Sequence, residues 1–142
     1  MKVLIDTCII IDVLQSRQPF CNEAQKLFLF AANHQFDGYI TAKSVTDIYY
    51  LSHRLTRDDK KTREILSKLF ELFEIADTTG ADCRRAVPSP ISDFEDAVMS
   101  ETAIRINADC IVTRNKKDYL KSPVPVFLSD DFIKKVEQEN GI

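Results

Sequence analysis

Residues 2–14 read KVLIDTCIIIDVL, and this stretch decides the fold. Its first four residues form a short apolar run that ends at Asp6, and CIIIDVL continues the apolar character with a spacing that suits a helix. A strand followed directly by a helix is therefore predicted. An ionised group directly after an apolar strand is costly unless it is solvated or binds a ligand, so Asp6 is a candidate functional residue.

The rest of the chain repeats this alternation of short apolar strands and helices. Further strands are predicted at 37–41, 73–77, 108–113 and 124–127, and further helices at 19–33, 42–55, from 56 or 58 onward, 78–87, 92–107 and 129–138. Every strand run is short, apolar and non-alternating, as expected when both faces of a parallel sheet are covered. The prediction is an α/β fold, a three-layer α/β/α sandwich with a short central parallel sheet, in one domain over residues 1–142.

Helix caps are predicted from side chains that can accept a backbone hydrogen bond. Ser92 is the predicted N-cap of the helix over 92–107, with Glu95 completing a capping box. Thr56 or Asp58 is expected to cap the second helix of a hairpin, and Ser129 the closing helix.

Composition narrows the class of protein. The 142 residues are 44% hydrophobic and 29% charged with three glycines, which excludes disordered and fibrous proteins. The four cysteines stand singly, so they are expected to be buried reduced thiols and to form neither a zinc site nor a disulfide framework. No apolar run reaches the ~20 residues of a membrane span, and the N-terminus lacks a signal peptide, so a cytoplasmic location is expected.

The net charge of −3 argues against a protein that coats nucleic acid by bulk electrostatics. It is compatible with an enzyme whose acidic site takes up cations.

In a parallel sheet the functional crevice lies beyond the carboxyl ends of the strands. The polar residues that the sequence places there are Asp6 after the first strand, Thr113, Arg114, Asn115 and Asp118 after the fourth, Asp47 in the helix after 37–41, and Asp93 and Asp96 in the first turns of the helix over 92–107.

Asp93 and Asp96 are three residues apart and share a helix face. Several carboxylates brought together repel one another unless a cation lies between them, and hard oxygen ligands select Mg²⁺ or Mn²⁺. Such a site can activate a water against a phosphodiester. Structural alternatives stay open: Asp96 can serve the helix dipole, Asp118 can be an ordinary loop acid, and Asp12 is expected to be a solvated position on the first helix.

Three motifs carry a resemblance to a known family. LIDTCIIIDVL at 4–14 resembles the opening of PIN domains, SDFEDAVMSETA their third acidic motif and CIVTRNKKDY their Thr-Arg-Asp/Asn segment, while TDIYYL resembles the second-motif helix of one bacterial subgroup. The resemblance implies a parallel sheet between helices, an acidic pocket binding Mg²⁺ or Mn²⁺, and cleavage of single-stranded RNA. It also implies a VapC-like toxin of a type II toxin–antitoxin pair, with a cognate antitoxin as partner, and a homodimer.

Carried over by residue, the resemblance makes Asp6 and Asp96 the first and third acids, with Asp47 at or near the second, where the family usually has Glu. Cys8 stands where Asn is common, and Asn115 stands where many members have a fourth Asp. The implied catalytic residues are Asp6, Asp47 and Asp96; the implied metal ligands add Asp118; and the implied auxiliary residues are Asp93, Asn115, Thr7 and Thr113.

Basic residues near these motifs are candidates for holding the RNA backbone. Arg114, Lys116 and Lys117 lie beside the site in sequence, and a second group lies in the helical hairpin: Arg54, Arg57, Lys60, Lys61 and Arg63. The alternative is a solvated charged face. Tyr49 and Tyr50 can stack on a base, although the helical spacing predicts that at least one is core.

Two other function classes remain. A non-catalytic PIN-like module binding RNA or a protein partner is favoured by the departures at Cys8, Asp47 and Asn115. An α/β phosphatase or phosphoacceptor receiver also places Asp after a strand. The dehalogenase-type phosphatase needs a second Asp where Cys8 stands, and the receiver needs its Asp on a middle strand in sequence, so both are disfavoured.

Overall fold

The computed structural model describes residues 1–142 and contains a five-stranded sheet in which every pairing is parallel. The strands are β1 Lys2–Ile5, β2 Asp37–Thr41, β3 Glu74–Ala76, β4 Cys110–Val112 and β5 Val126–Phe127. The helices are α1 Thr7–Leu14, α2 Cys21–Ala32, α3 Ala42–Thr56, α4 Asp59–Leu72, α5 Gly80–Ala86, α6 Phe94–Arg105 and α7 Ser129–Asn140, with a 3₁₀ helix at Lys116–Tyr119. The α/β fold with a short central parallel sheet is confirmed.

The strand order is β3-β2-β1-β4-β5, so the chain builds outward from β1 in both directions. The order reverses between β1 and β4, and a crevice is expected beyond the carboxyl ends of these two strands. The residues that follow β1 and β4 are therefore the ones that the fold brings to this crevice.

Helices cover both faces of the sheet, and β1 shows why its sequence is apolar throughout. Val3 and Ile5 belong to a core cluster that includes residues of α1, α2 and α7. Leu4 points to the opposite face, where it packs with Met99 of α6 and with Tyr119. Successive residues of a strand face opposite sides, so each side chain of this strand meets a core.

Two of the predicted caps are wrong by one residue. Asp93, and not Ser92, is the N-cap of α6, and its carboxylate accepts the backbone N–H of Asp96 at 3.0 Å. The helix starts later than predicted, after the bends that follow Pro90. Ser129 is the first residue of α7 and Leu128 occupies the cap position without a side-chain bond. The alternative cap Asp58 is confirmed, since it accepts the N–H of Lys61 at 3.1 Å.

All four cysteines are free thiols. Cys21 and Cys110 are buried as expected, Cys8 is partly buried, and the expectation of burial is wrong for Cys83, which is exposed. None of the helices has the length and apolar character required to cross a bilayer.

Candidate active site

Asp6 lies at the junction of β1 and α1, where its backbone caps the helix but its side chain makes no cap bond. The side chain instead accepts a hydrogen bond of 2.7 Å from the hydroxyl of Thr113. Thr113 follows β4 directly, and the pairing of Ile5 with Val112 brings the two residues side by side. The carboxylate of Asp6 is thus buried and oriented by a neighbouring strand end.

Asp96 approaches Asp6 from the first turn of α6, and Tyr119 lies between them. The buried Tyr119 hydroxyl donates to Oδ1 of Asp96 at 3.0 Å and lies 3.4 Å from Oδ2 of Asp6. Because a phenol has one proton, it serves one carboxylate at a time while holding both nearby. Tyr119 was missed in the sequence, where only its position after Asp118 in the KKDY string connects it with the motif.

The charges of Asp6 and Asp96 are not balanced by the chain, since neither carboxylate forms an ion pair with a lysine or arginine. Burial raises the pKa of Asp6, and the hydrogen bond from Thr113 opposes that rise. The pKa of Asp96 is raised to about 6, chiefly by burial, and the negative charges of Asp6, Asp93 and Asp118 contribute to the same rise. The site holds a concentration of negative charge that a cation would stabilise.

These two carboxylates open into a cavity of about 470 Å³ that also contains the predicted residues Thr7, Asp47 and Asn115. Asp47 is ion-paired, because Nζ of Lys43 lies 2.5 Å from its carboxylate and 3.0 Å from that of Glu95. The hydroxyl of Thr7 donates to Ser44 at 2.7 Å. The structure therefore brings Asp47 to the same cavity, with a cation of the chain already bound to it.

Asp93 and Asp118 lie beside this cavity and not in its lining. They face a neighbouring groove that also includes Lys117. Asp93 is engaged as the cap of α6, and the charge of Asp118 acts on Asp96 from the side. Lys116 is exposed in the 3₁₀ helix.

Arg114 points away from the cavity and forms an ion pair with a fully buried carboxylate. Its Nε lies 2.8 Å from the carboxylate of Asp12, and its guanidinium packs over the ring of Phe20. The expectation that Asp12 is solvated is wrong, since its side chain is 0% exposed. Asp12 lies among the buried residues of α1, and the arginine that follows β4 balances its charge.

Asp6 and Asp96 fit a Mg²⁺ or Mn²⁺ ion by their chemistry. They present hard oxygen donors close together, with unbalanced charge and a shared hydrogen-bond donor. Nowhere in the chain do three or more His, Cys, Asp and Glu side chains form a group able to hold a metal. Mg²⁺ is commonly held by one or two carboxylates, with water and substrate phosphate supplying the other ligands, and the pair matches that pattern.

The sequence profile of the PIN domain matches residues 2–117. The chain belongs to the PIN-domain family. Comparison with curated proteins gives no significant match. The matched residues include Asp6, Asp47 and Asp96 together with Thr113 and Asn115, and the match stops two residues before Tyr119.

Solved structures similar to this PIN domain share its fold. A VapBC2 complex of Rickettsia felis bound to promoter DNA is 18% identical with a TM-score of 0.66, over 90% of this chain and 98% of that one. A toxin–antitoxin complex of Klebsiella pneumoniae is 23% identical with a TM-score of 0.65, over 89% and 97%. VapC20 of Mycobacterium tuberculosis, a toxin that cleaves the sarcin–ricin loop, is 12% identical with a TM-score of 0.57, over 77% and 86%.

Proposed function

We propose that this PIN domain is a metal-dependent endoribonuclease that cleaves single-stranded RNA and acts as the toxin of a type II toxin–antitoxin pair. The observation that carries the proposal is the pairing of Asp6 with Asp96, two desolvated carboxylates without a cationic partner in the chain. The similarity in fold to proteins of toxin–antitoxin complexes supports an antitoxin as partner. A homodimer and a cytoplasmic location complete the proposal.

In this proposal Asp6 and Asp96 hold a Mg²⁺ or Mn²⁺ ion, which when bound activates a water and neutralises the charge that develops on the phosphate. Thr113 orients Asp6 through its 2.7 Å hydrogen bond, and Tyr119 keeps the two carboxylates beside each other. Thr7 and Asn115 line the space where the phosphate would lie. Asp47 would join the ligands of the ion if Lys43 moved away from its carboxylate, and Asp118 would add negative charge from the side.

The test compares cleavage of a single-stranded RNA by wild type, Asp6→Asn, Asp96→Asn and Asp37→Asn with Mn²⁺ or Mg²⁺ and with a chelator. Asp37 is a matched control, because it is an exposed aspartate at the opposite end of β2 from the crevice. Cleavage by wild type and Asp37→Asn, lost in the other two variants and with the chelator, is expected. Equal cleavage by all four proteins would mean that another nuclease is responsible and would overturn the proposal.

A non-catalytic module that binds RNA or a protein is the second candidate. The ion pair of Lys43 with Asp47 favours it, since one acid of the predicted set is already neutralised. Binding of RNA without cleavage under every metal condition, in the same assay, is the result expected for this candidate.

A further inference from the structure

The cavity that contains the carboxylates has a second wall with the opposite character. Arg17, Tyr50 and Arg54 line the same cavity as Asp6 and Asp96. Arg17 comes from the turn after α1, and the other two come from α3. The sequence had already made Arg54 and Tyr50 candidate RNA contacts, whereas Arg17 was not among them. Arg114, the expected contact after β4, is engaged by Asp12.

Three residues of α3 form a continuous stripe along the cavity. Asp47, Tyr50 and Arg54 are spaced by three and four residues, which places them on one face of the helix. The stripe runs roughly 10 Å from the acid end toward solvent, at 1.5 Å of rise per residue. This face is open to a strand whose phosphate lies at the carboxylates.

No carboxylate of the chain balances the positive charge of either arginine. Neither Arg17 nor Arg54 forms an ion pair with a carboxylate, whereas Lys43 in the same cavity is held by two of them. Arg17 is nonetheless fixed in place: its Nε and one terminal nitrogen donate to the side-chain oxygen of Gln15 at 3.1 and 2.8 Å. A neutral amide positions the guanidinium without cancelling its charge.

The same amide ties Arg17 to α3, because the side-chain nitrogen of Gln15 donates to the carbonyl oxygen of Leu51 at 3.1 Å. Tyr50 is 65% exposed, a large fraction for an aromatic ring beside a cavity, and it rests edge-on against Tyr49 with ring centroids 5.2 Å apart. Tyr49 is itself fixed by a hydrogen bond to Asp59. One ring of the pair is thus anchored and the other has a free face.

Two unpaired guanidinium groups beside a supported, exposed aromatic ring form the chemical pattern that binds single-stranded nucleic acid, since phosphates pair with the cations and an unpaired base stacks on the ring. We propose that the wall formed by Arg17, Tyr50 and Arg54 is the subsite that holds the RNA strand next to the scissile phosphate. This rests on the proposed function, and it names the path of the substrate. Because stacking requires an unpaired base, the wall also selects single strands over duplex.

The test measures binding without cleavage. Fluorescence anisotropy with a short labelled single-stranded RNA of mixed sequence, in buffer with Mg²⁺, uses the Asp6→Asn protein as background. Four variants are made in this Asp6→Asn background: Arg17→Gln, Arg54→Gln, Tyr50→Ala and Tyr50→Phe. Matched controls are Arg85→Gln, an exposed arginine of α5 without an ion pair, and Phe70→Ala, an exposed aromatic of α4. Circular dichroism confirms that each variant is folded.

We expect Tyr50→Ala to weaken binding roughly 5- to 150-fold, the equivalent of one lost base stack, and Tyr50→Phe to retain it. Each arginine substitution should reduce the slope of log K against log salt concentration by about 0.7, the value for one phosphate contact to a single strand. The controls should leave affinity within about twofold of the background protein. The preference of the background protein for single-stranded over duplex RNA should shrink in Tyr50→Ala.

Two results would overturn the subsite: equal losses of RNA affinity in Arg85→Gln and Arg54→Gln, or unchanged RNA affinity in all wall variants. Failure of the proposed function is distinguishable from these. If wild type never cleaves but the wall variants lose RNA binding, the subsite stands and the chain is a binding module. If wild type cleaves and the wall variants bind normally, the catalytic proposal stands and the subsite does not.

Discussion

The molecule contains two kinds of buried aspartate, and the contrast between them locates the site. Asp12 and Asp82 are 0% exposed, and each is bound by an arginine at 2.8 and 2.9 Å respectively. Asp6 is 9% exposed and, like Asp96, has no cationic partner. The same residue type is structural where the chain supplies the counter-charge and a candidate ligand where it does not, because an unbalanced buried carboxylate is costly to retain without another role.

The structural pairs are non-local. Asp12 lies 102 residues from Arg114, and Asp82 lies 23 residues from Arg105. Asp82 also accepts from the N–H of Thr79 at 3.1 Å, which closes a capping box at the start of α5. These pairs connect α1 to the end of β4 and α5 to α6, so they hold the elements around the crevice in place.

The largest effect is expected when the ion pair between Asp12 and Arg114 is broken. Arg114→Gln leaves Asp12 buried without a counter-charge, and the free energy of unfolding should fall by about 3 kcal/mol. Urea denaturation measures it, with Arg85→Gln as the control that changes the same charge on the surface. The double variant Asp12→Asn/Arg114→Gln should recover part of the loss. A loss equal to that of the control would remove Arg114 from the structural group and return it to the candidate RNA contacts.

The second prediction concerns the unpaired carboxylates. Mn²⁺ at about ten times its dissociation constant should stabilise the wild-type protein by roughly 1.4 kcal/mol, since it binds the folded state alone. Asp6→Asn should show little of this stabilisation, while Asp37→Asn should match the wild type. Thermal unfolding with and without Mn²⁺ provides the measurement. Equal stabilisation of all three proteins would place the ion elsewhere on the chain.

The smallest expected effect is on acid stability. Burial alone would raise the pKa of Asp82, but Arg105, the N–H of Thr79 and the hydroxyl of Thr102 together hold that pKa below its ordinary value. These interactions of the ionised Asp82 stabilise the folded protein fully above the ordinary carboxyl pKa of about 4. Their contribution to the free energy of unfolding is lost as the pH falls from there toward the folded-state pKa. Asp82→Asn should therefore unfold with a shallower acid dependence than wild type. Identical profiles below about pH 4.5 would contradict this assignment.

The order of strands and helices could be predicted from the sequence because the pattern that indicates each element is local. The apolar run of β1 and the helical spacing of α1 are each contained in a few consecutive residues, and the predicted elements are all present. Caps were less accurate, since Ser92 and Asp93 offer similar acceptors one residue apart and the folded chain uses Asp93. The position of Asp6 was likewise readable, because a strand end at the crevice follows from the pattern alone.

The hydrogen-bond and ion-pair partners of the residues around the site could not be predicted from the sequence. Tyr119 reaches Asp6 across 113 residues, Arg114 turns to Asp12 and away from the cavity, and Gln15 fixes Arg17 against α3. The sequence by itself determined the parallel α/β fold and the position of Asp6 at the end of β1, because hydrophobic period and strand-end position are local properties. Only the tertiary structure decided which charges are neutralised, since that depends on which side chains distant in sequence the folded backbone brings within a few ångströms.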